Sequence, residues 1–420
     1  MTRGAARVAV VDRRPHNYEI AATGDCMRRI LLVLVGLCIA LTQAQGQLAI
    51  LRRDLKDLEM WASADTNDSQ RKYFLALAHW KRHEWRQTDS LLRAAIAMEP
   101  RFAAAYLALA LLPQARRPQL MDEEARDRVP ESWKPAVKEA AEFYARAFRT
   151  DPMVSLEVMG IDVDEPEIVD YTAPEAQTYY RYYAWAIDLA LGRYLSARER
   201  LTKLAQREFN ETKHPEKVPD YILLYRGLAA AHSGQYGLAI PDFRVLLERR
   251  QKKQQSEVIH IPLDDNDYRF MLAALHHLAG NKDSAIVLYE ESLEHDLGLV
   301  MAHSYLASIY EQSGRDSEAL VERRRAAELN GDDPAALFEL AVSLFNAGKV
   351  RECVTHSYQA AGLNPHYAPP HYLLGRAAEA FNQPDMAREE YARFLSLAPL
   401  RMTDLRGDAQ QRLDKLPAPK

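Results

Sequence analysis

The sequence predicts an all-α chain built as a helical-hairpin solenoid, and three observations carry that expectation. Small residues stand at Ala273, Ala307, Ala341 and Gly375, each 34 positions after the one before. Each is followed twelve residues later by a second small residue: Ala285, Ala319, Cys353 and Ala387. Seven residues past each first small position stand Gly280, Gly314, Gly348 and Asn382, residue types that accept the left-handed cap ending a helix. A fixed period of this length marks stacked supersecondary units, each burying its apolar face against the next. Where the two helices of one unit cross closely, a large side chain would push the axes apart, so the crossing takes glycine or alanine.

The elements follow in chain order. Residues 27–46, "MRRILLVLVGLCIALTQAQG", have two arginines, an apolar run from Ile30 to Leu41, and the small pairs Thr42/Ala44 or Ala44/Gly46, the pattern of a cleaved secretory signal. The run is shorter than the ~20 residues a membrane-spanning helix needs, so anchoring through an uncleaved signal is the alternative. Leu37 precedes Cys38 where a lipidation motif needs a small residue, so no lipid is expected. Asp12, Glu19 and Asp25 are foreign to a leader, which places the expected start at Met27. The chain is then expected to be periplasmic or secreted.

Residues 47–68 are expected to form a capping helix, with Leu48, Leu51, Leu55 and Leu58 on one face. Residues 69–265 read as divergent repeats with insertions: Ala76 and Ala95, then Ala108 and Ala147, then Gly192 and Ala197 with Trp185 in place of a small residue, then Gly227, Gly234, Ala239 and Phe243. Three stretches break the period and read as surface loops: residues 113–135, residues 155–171 with six acids and no base, and residues 249–265. Residues 266–399 hold the four regular repeats, and residues 400–420 a second capping helix and tail, with Leu405, Leu413 and Leu416 as its stripe.

With a leucine before each first small residue (Leu272, Leu306, Leu340, Leu374) and prolines closing two units at Pro365 and Pro399, the unit resembles the tetratricopeptide repeat (TPR). The resemblance covers residues 69–399. It implies a right-handed superhelix whose first helices line a concave surface, and a role in binding proteins. Tyr289 and Tyr391 supply the aromatic expected in the second helix, whereas Arg323 and Ser357 depart from it.

Composition is compatible with this. Of 420 residues, 48% are hydrophobic and 27% charged, enough apolar material for an extended array. The formal charge is −5, and removing residues 1–46, with six arginines and three acids, makes it −8, which argues against a nucleic-acid partner. Of three cysteines, Cys26 and Cys38 lie in the leader, so Cys353 has no internal disulfide partner and is expected to be a buried packing residue.

No nucleophile elbow, phosphate loop or dinucleotide fingerprint occurs, so no catalytic residue and no cofactor is predicted. His276, His277, His295 and His303 match no metal-ligand spacing, and no metal is predicted either. The position three before each first small residue gives the row Tyr73, Ala105, Tyr182, Leu224, Phe270, Ser304, Phe338 and Tyr372. On a concave face, Tyr73, Tyr182, Leu224, Phe270, Phe338 and Tyr372 would line a groove for a protein or peptide segment; the same spacing also fits rings that pack on neighbouring helices as core. The lysines and asparagines that related grooves use for a peptide carboxylate are absent from this row. Two readings stay open, a binding module of the cell envelope and a structural scaffold whose groove is filled by the chain's own acidic insertion or by another copy; a metal-dependent enzyme accessory would require bound metal.

Overall fold

A computed structural model describes residues 54–116, 134–154 except 152, 184–252 except 187, 190 and 191, and 264–417. The signal segment, Tyr182 and the acidic residues 157–170 lie outside the described residues. Among the described residues, regular structure is helical throughout. Helix α1 (Leu55–Ser63) is followed by α2 (Ser69–Lys81), α3 (Trp85–Met98), α4 (Ala103–Arg116), α5 (Lys134–Thr150) and α6 (Tyr194–Phe209). Then come α7 (Asp220–His232), α8 (Tyr236–Gln251), α9 (Asp265–Leu278), α10 (Lys282–His295), α11 (Val300–Gln312) and α12 (Asp316–Leu329). The chain closes with α13 (Pro334–Asn346), α14 (Val350–Leu363), α15 (Pro369–Ala380), α16 (Pro384–Leu397) and α17 (Thr403–Lys415). Helices pack as consecutive pairs, α2 with α3, α4 with α5, α7 with α8, and so on to α15 with α16; the first two pairs stack on each other, and from α7 onward each pair stacks on the next.

The small residues sit where the pairs touch. Ala273, Ala285, Ala307, Ala341, Cys353 and Ala387 are all fully buried. A methyl group added at Gly375 would stand 2.6 Å from the ring of Tyr391 on the facing helix, far inside van der Waals contact. The turns between helices also follow the sequence: Gly234, Gly280, Gly314 and Gly348 have φ between +73° and +80°, and Asn382 has +56°. His83 takes the same conformation at φ +59° in the first hairpin, a cap no glycine announces. Three helices start on a capping aspartate. Asp68 accepts from the Gln70 amide at 2.9 Å, Asp333 from the Ala335 amide at 2.9 Å, and Asp264 forms a reciprocal capping box with Asp267.

Two helices outrun their expected ends. The 113–135 and 249–265 segments were expected as loops, but α4 continues through Pro113 to Arg116 and α8 continues to Gln251. In α8 the Arg249 guanidinium donates to Asp220 at 2.6 Å and to the Val218 carbonyl at 2.7 Å, tying the final turn to the start of α7. Trp185, where a small residue was expected, lays its ring against Tyr221 at 6.2 Å and Tyr225 at 5.2 Å.

Candidate functional site

The aromatic row is where the structure departs most from a lined groove. Tyr73, Leu224, Phe270, Phe338 and Tyr372 are all buried, none more than 7% exposed, and Tyr182 lies outside the described residues. Their rings are used within the repeat stack. Phe270 lies 5.9 Å from the Tyr289 ring and 6.0 Å from Tyr305 of the next repeat. Phe338 meets Tyr367 edge-on at 5.7 Å, and Tyr372 packs on Phe394 at 5.4 Å and Tyr391 at 6.0 Å. Tyr73 packs on Phe74 and Phe102. In this conformation the rings present no open surface, because each packs on rings of its own hairpin or of the segment that follows and its apolar area is hidden there.

What lies on the inner face instead is charge. In α11 residues 301–310 are all buried, and in α13 residues 334–345 are all buried. Neighbouring helices of the stack cover most of these helices, and the inner face meets the chain's own first repeats. Arg101, in the turn between α3 and α4, ion-pairs with Glu339 on α13 and lies 3.5 Å from Asp333, the cap of that helix. Glu339 is shared with Arg323 of α12 at 2.5 Å, and Arg323, with no exposed surface, also reaches Glu311 at 3.2 Å, the Ser308 hydroxyl at 3.0 Å and the Ser304 carbonyl at 3.2 Å. Ser343 donates to Glu311 at 2.6 Å. Each buried charge has an opposite partner, the condition for keeping ions out of water. Burial pushes the nearby Tyr367 hydroxyl well above its usual range, with Glu339 and Asp333 raising it further and Arg101 opposing.

A second arginine mirrors the first. Arg401, in the turn between α16 and α17, reaches Asp68, the cap of α2, at 3.3 Å, the Ser69 hydroxyl at 3.1 Å and Glu99 at 3.2 Å. So each end of the array sends an arginine from an inter-repeat turn onto the capping aspartate of a first helix at the other end. Around them, the Leu400 amide donates to Asp65 at 2.7 Å and Asn67 donates to the Ser396 carbonyl at 2.8 Å. Asn364 donates to the Ala97 carbonyl at 2.5 Å, and the Tyr305 hydroxyl to the Thr150 carbonyl at 3.0 Å. As the N-terminal partner advances from 65 through 97 and 101 to 150, the C-terminal partner retreats from 400 through 364 and 333 to 305. The two ends of the solenoid therefore lie antiparallel and clasp each other.

Consecutive hairpins, small residues at the crossings of the regular repeats and left-handed caps between helices decide the architecture. The fold is a TPR-like helical-hairpin solenoid. No family model matches the chain, and no curated protein matches it. Among solved structures, the chain is similar to a crystal structure of MamA, at 15% identity and a TM-score of 0.36, covering 44% of this chain and 96% of that one. It is similar at 14% identity and a TM-score of 0.37 to MamA 41-end from Desulfovibrio magneticus RS-1, covering 44% of this chain and 97% of that one. It is also similar, at 16% identity and a TM-score of 0.40, to the C-terminal part of a TPR repeat-containing protein from Cytophaga hutchinsonii, covering 52% of this chain and 78% of that one.

Two histidines of the stack are held by neighbouring polar side chains. His303 bonds Glu322 at 2.6 Å, and His276 lies 3.3 Å from the Asn281 side chain. Among the described residues no group of histidine, cysteine and carboxylate side chains converges as a metal site, and no helix is long and apolar enough to cross a membrane. Burial pushes the Cys353 thiol up to about 12, so at neutral pH it is protonated and a poor nucleophile.

Arg101, Asp333, Glu339, Asn364 and Arg401 were not singled out by the sequence. Two signals pointed toward them. Arg323 stands where Tyr289 and Tyr391 carry the repeat aromatic, and Glu339 stands where the register has Met271, Tyr305 and Leu373. A charge at an apolar register position needs a buried partner.

Proposed function

We propose that this protein is a non-catalytic protein–protein interaction scaffold of the cell envelope, working through the inner face of its C-terminal repeats. The observation that carries the reading is that this face already holds a protein segment. Its acids, cap and turn carbonyls engage the first repeats through directional bonds, so it has the chemistry to select a segment by charge and backbone pairing. The buried aromatics become anchors for a partner only through repacking; they hold the repeats that shape the face. A second reading, a structural scaffold whose groove is filled from within, is favoured by the closure itself, with the first repeats as the filling.

Export to the envelope rests on the signal-like residues 27–46. Cross-linking mass spectrometry on envelope extract tests the interaction reading: cross-links from residues 265–415 to one stoichiometric partner are expected. An absence of cross-linked protein, with only internal cross-links across the clasp, favours the self-filled scaffold.

A further inference from the structure

We infer that the inner face bounded by Asp333, Glu339 and Glu311 is a docking site for an arginine-bearing protein segment, and that the chain's own first repeat, through Arg101, occupies it as an intramolecular competitor. The inference rests on the interaction-scaffold reading and adds to it the chemistry of the partner and the means of regulation.

The charge arithmetic of the site is specific. Among the described residues, the cluster without Arg101 holds three acids, Asp333, Glu339 and Glu311, facing one base, Arg323. Two acids fewer would be balanced by Arg323 alone; as built, the face is short of cations by two, and Arg101 supplies one of them. The geometry favours a guanidinium over an ammonium. Arg101 uses two different terminal nitrogens, one on Glu339 and one on Asp333, a fork that a point charge cannot reproduce. Flanking contacts take further groups of the same occupant: the Asn364 side-chain amide donates to the Ala97 carbonyl, and the Leu400 main-chain amide to the Asp65 carboxylate.

The contact is also built to be released. Its core pair is buried, but the rim is half open: Arg401 is 26% exposed, and it holds Asp68 and Glu99 at 3.2–3.3 Å. The apolar clusters of the first repeats and of the C-terminal repeats are separate, and the bonds named above between the two ends are polar. A polar junction separates at lower cost than a continuous apolar core, and a segment offering a guanidinium and a carbonyl in the same positions would replace the bonds made by Arg101 and the Ala97 carbonyl.

The test compares wild type with Arg101→Gln. Small-angle scattering should show a larger radius of gyration for the variant, with unchanged helical circular dichroism and a monomeric mass. Fluorescence titration with nona-arginine and nona-lysine follows, two probes of equal charge and different head group. Nona-arginine is expected to bind Arg101→Gln at least tenfold more tightly than wild type, with a much smaller gain for nona-lysine. Equal affinities for the two peptides, equal affinities for the two proteins, an unchanged radius, or conversion to a dimer would each overturn the proposal. If Arg101→Gln loses helix content, Arg401→Gln at the rim replaces it, read by hydrogen exchange at residues 335–345; unchanged exchange there overturns the proposal. Opening without arginine preference sinks this inference and leaves the scaffold reading standing, because that reading depends on partner cross-links to the full chain.

Discussion

Arg323 shows how one residue can exchange an apolar role for an ionic one at the same register position. Tyr289 and Tyr391 fill this position with a ring, whereas Arg323 fills it with a guanidinium that has no exposed surface and bonds Glu339, Glu311, Ser308 and the Ser304 carbonyl. Truncation would leave buried acids short of a counter-charge. Arg323→Ala is expected to destabilise by about 3 kcal/mol or more, while Arg324→Ala, whose ion pair with Glu352 lies in solvent, should cost about 0.5 kcal/mol. Urea denaturation of both variants checks this, and equal midpoints would refute the network. His232 gives a pH dependence at the same scale. Its ring is buried against Tyr194 with Nε2 donating to the Met153 carbonyl at 2.7 Å, and burial pushes its pKa down to about 4. An unfolded histidine titrates near ~6.5. Between these values the unfolded chain binds a proton that the folded chain refuses. The stabilisation is therefore whole above the unfolded value and is lost as pH falls toward 4, by roughly 3 kcal/mol. His277, half-buried and also pushed down to about 4 by desolvation, adds in the same direction. Stability measured from pH 7 to pH 4 should fall, and His232→Gln should flatten that fall.

At the scale of the element, the hairpin is fixed by what cannot fit between its helices. Gly375 and Tyr391 face each other so closely that a Cβ would overlap the ring. Gly375→Ala is expected to destabilise by about 1–3 kcal/mol through overpacking. Gly407, in the middle of exposed α17 with nothing within 4 Å of its would-be Cβ, provides the contrast. There alanine removes the entropic cost of a helical glycine, and Gly407→Ala should stabilise by about 0.5–1 kcal/mol. Opposite signs in thermal unfolding would confirm the assigned crossing. Ala341→Leu, at a fully buried crossing between α13 and α14, should behave like Gly375→Ala.

At the scale of the whole molecule, the clasp decides how the array behaves. An open solenoid has two free ends, and its terminal repeats fray independently. Here the ends hold each other, so loosening one should be felt at the other. In Arg401→Ala, amides of α2 are expected to exchange faster while those of α10 stay unchanged; uniform exchange along the chain would show that the ends are uncoupled. Export belongs to this scale too. Sequencing the mature amino terminus is expected to find Gln45 or Gln47, and a chain intact from Met1 in the cytoplasm would sink the envelope assignment.

The sequence by itself determined the hairpins. Crossing residues and left-handed caps are local requirements repeated every 34 residues, so the period displays them: Ala307, Ala319 and Gly314 can be read without knowing what lies on either side. Capping at His83 escaped because a left-handed histidine has no compositional mark. The inner face could not be read in the same way. Spacing puts Phe270 and Phe338 on the inward side of their helices, but whether a ring faces solvent or leans into the next repeat depends on the offset between neighbouring hairpins, which no single period contains. Still less could spacing bring Arg101 to Glu339, 238 residues apart, or Asp65 to Leu400. Only the accumulated rotation of all the repeats between them brings those residues together. The sequence marked the meeting place only indirectly, through Arg323 and Glu339, two charges at positions built for apolar side chains, and the tertiary structure supplied the partner that makes their burial stable.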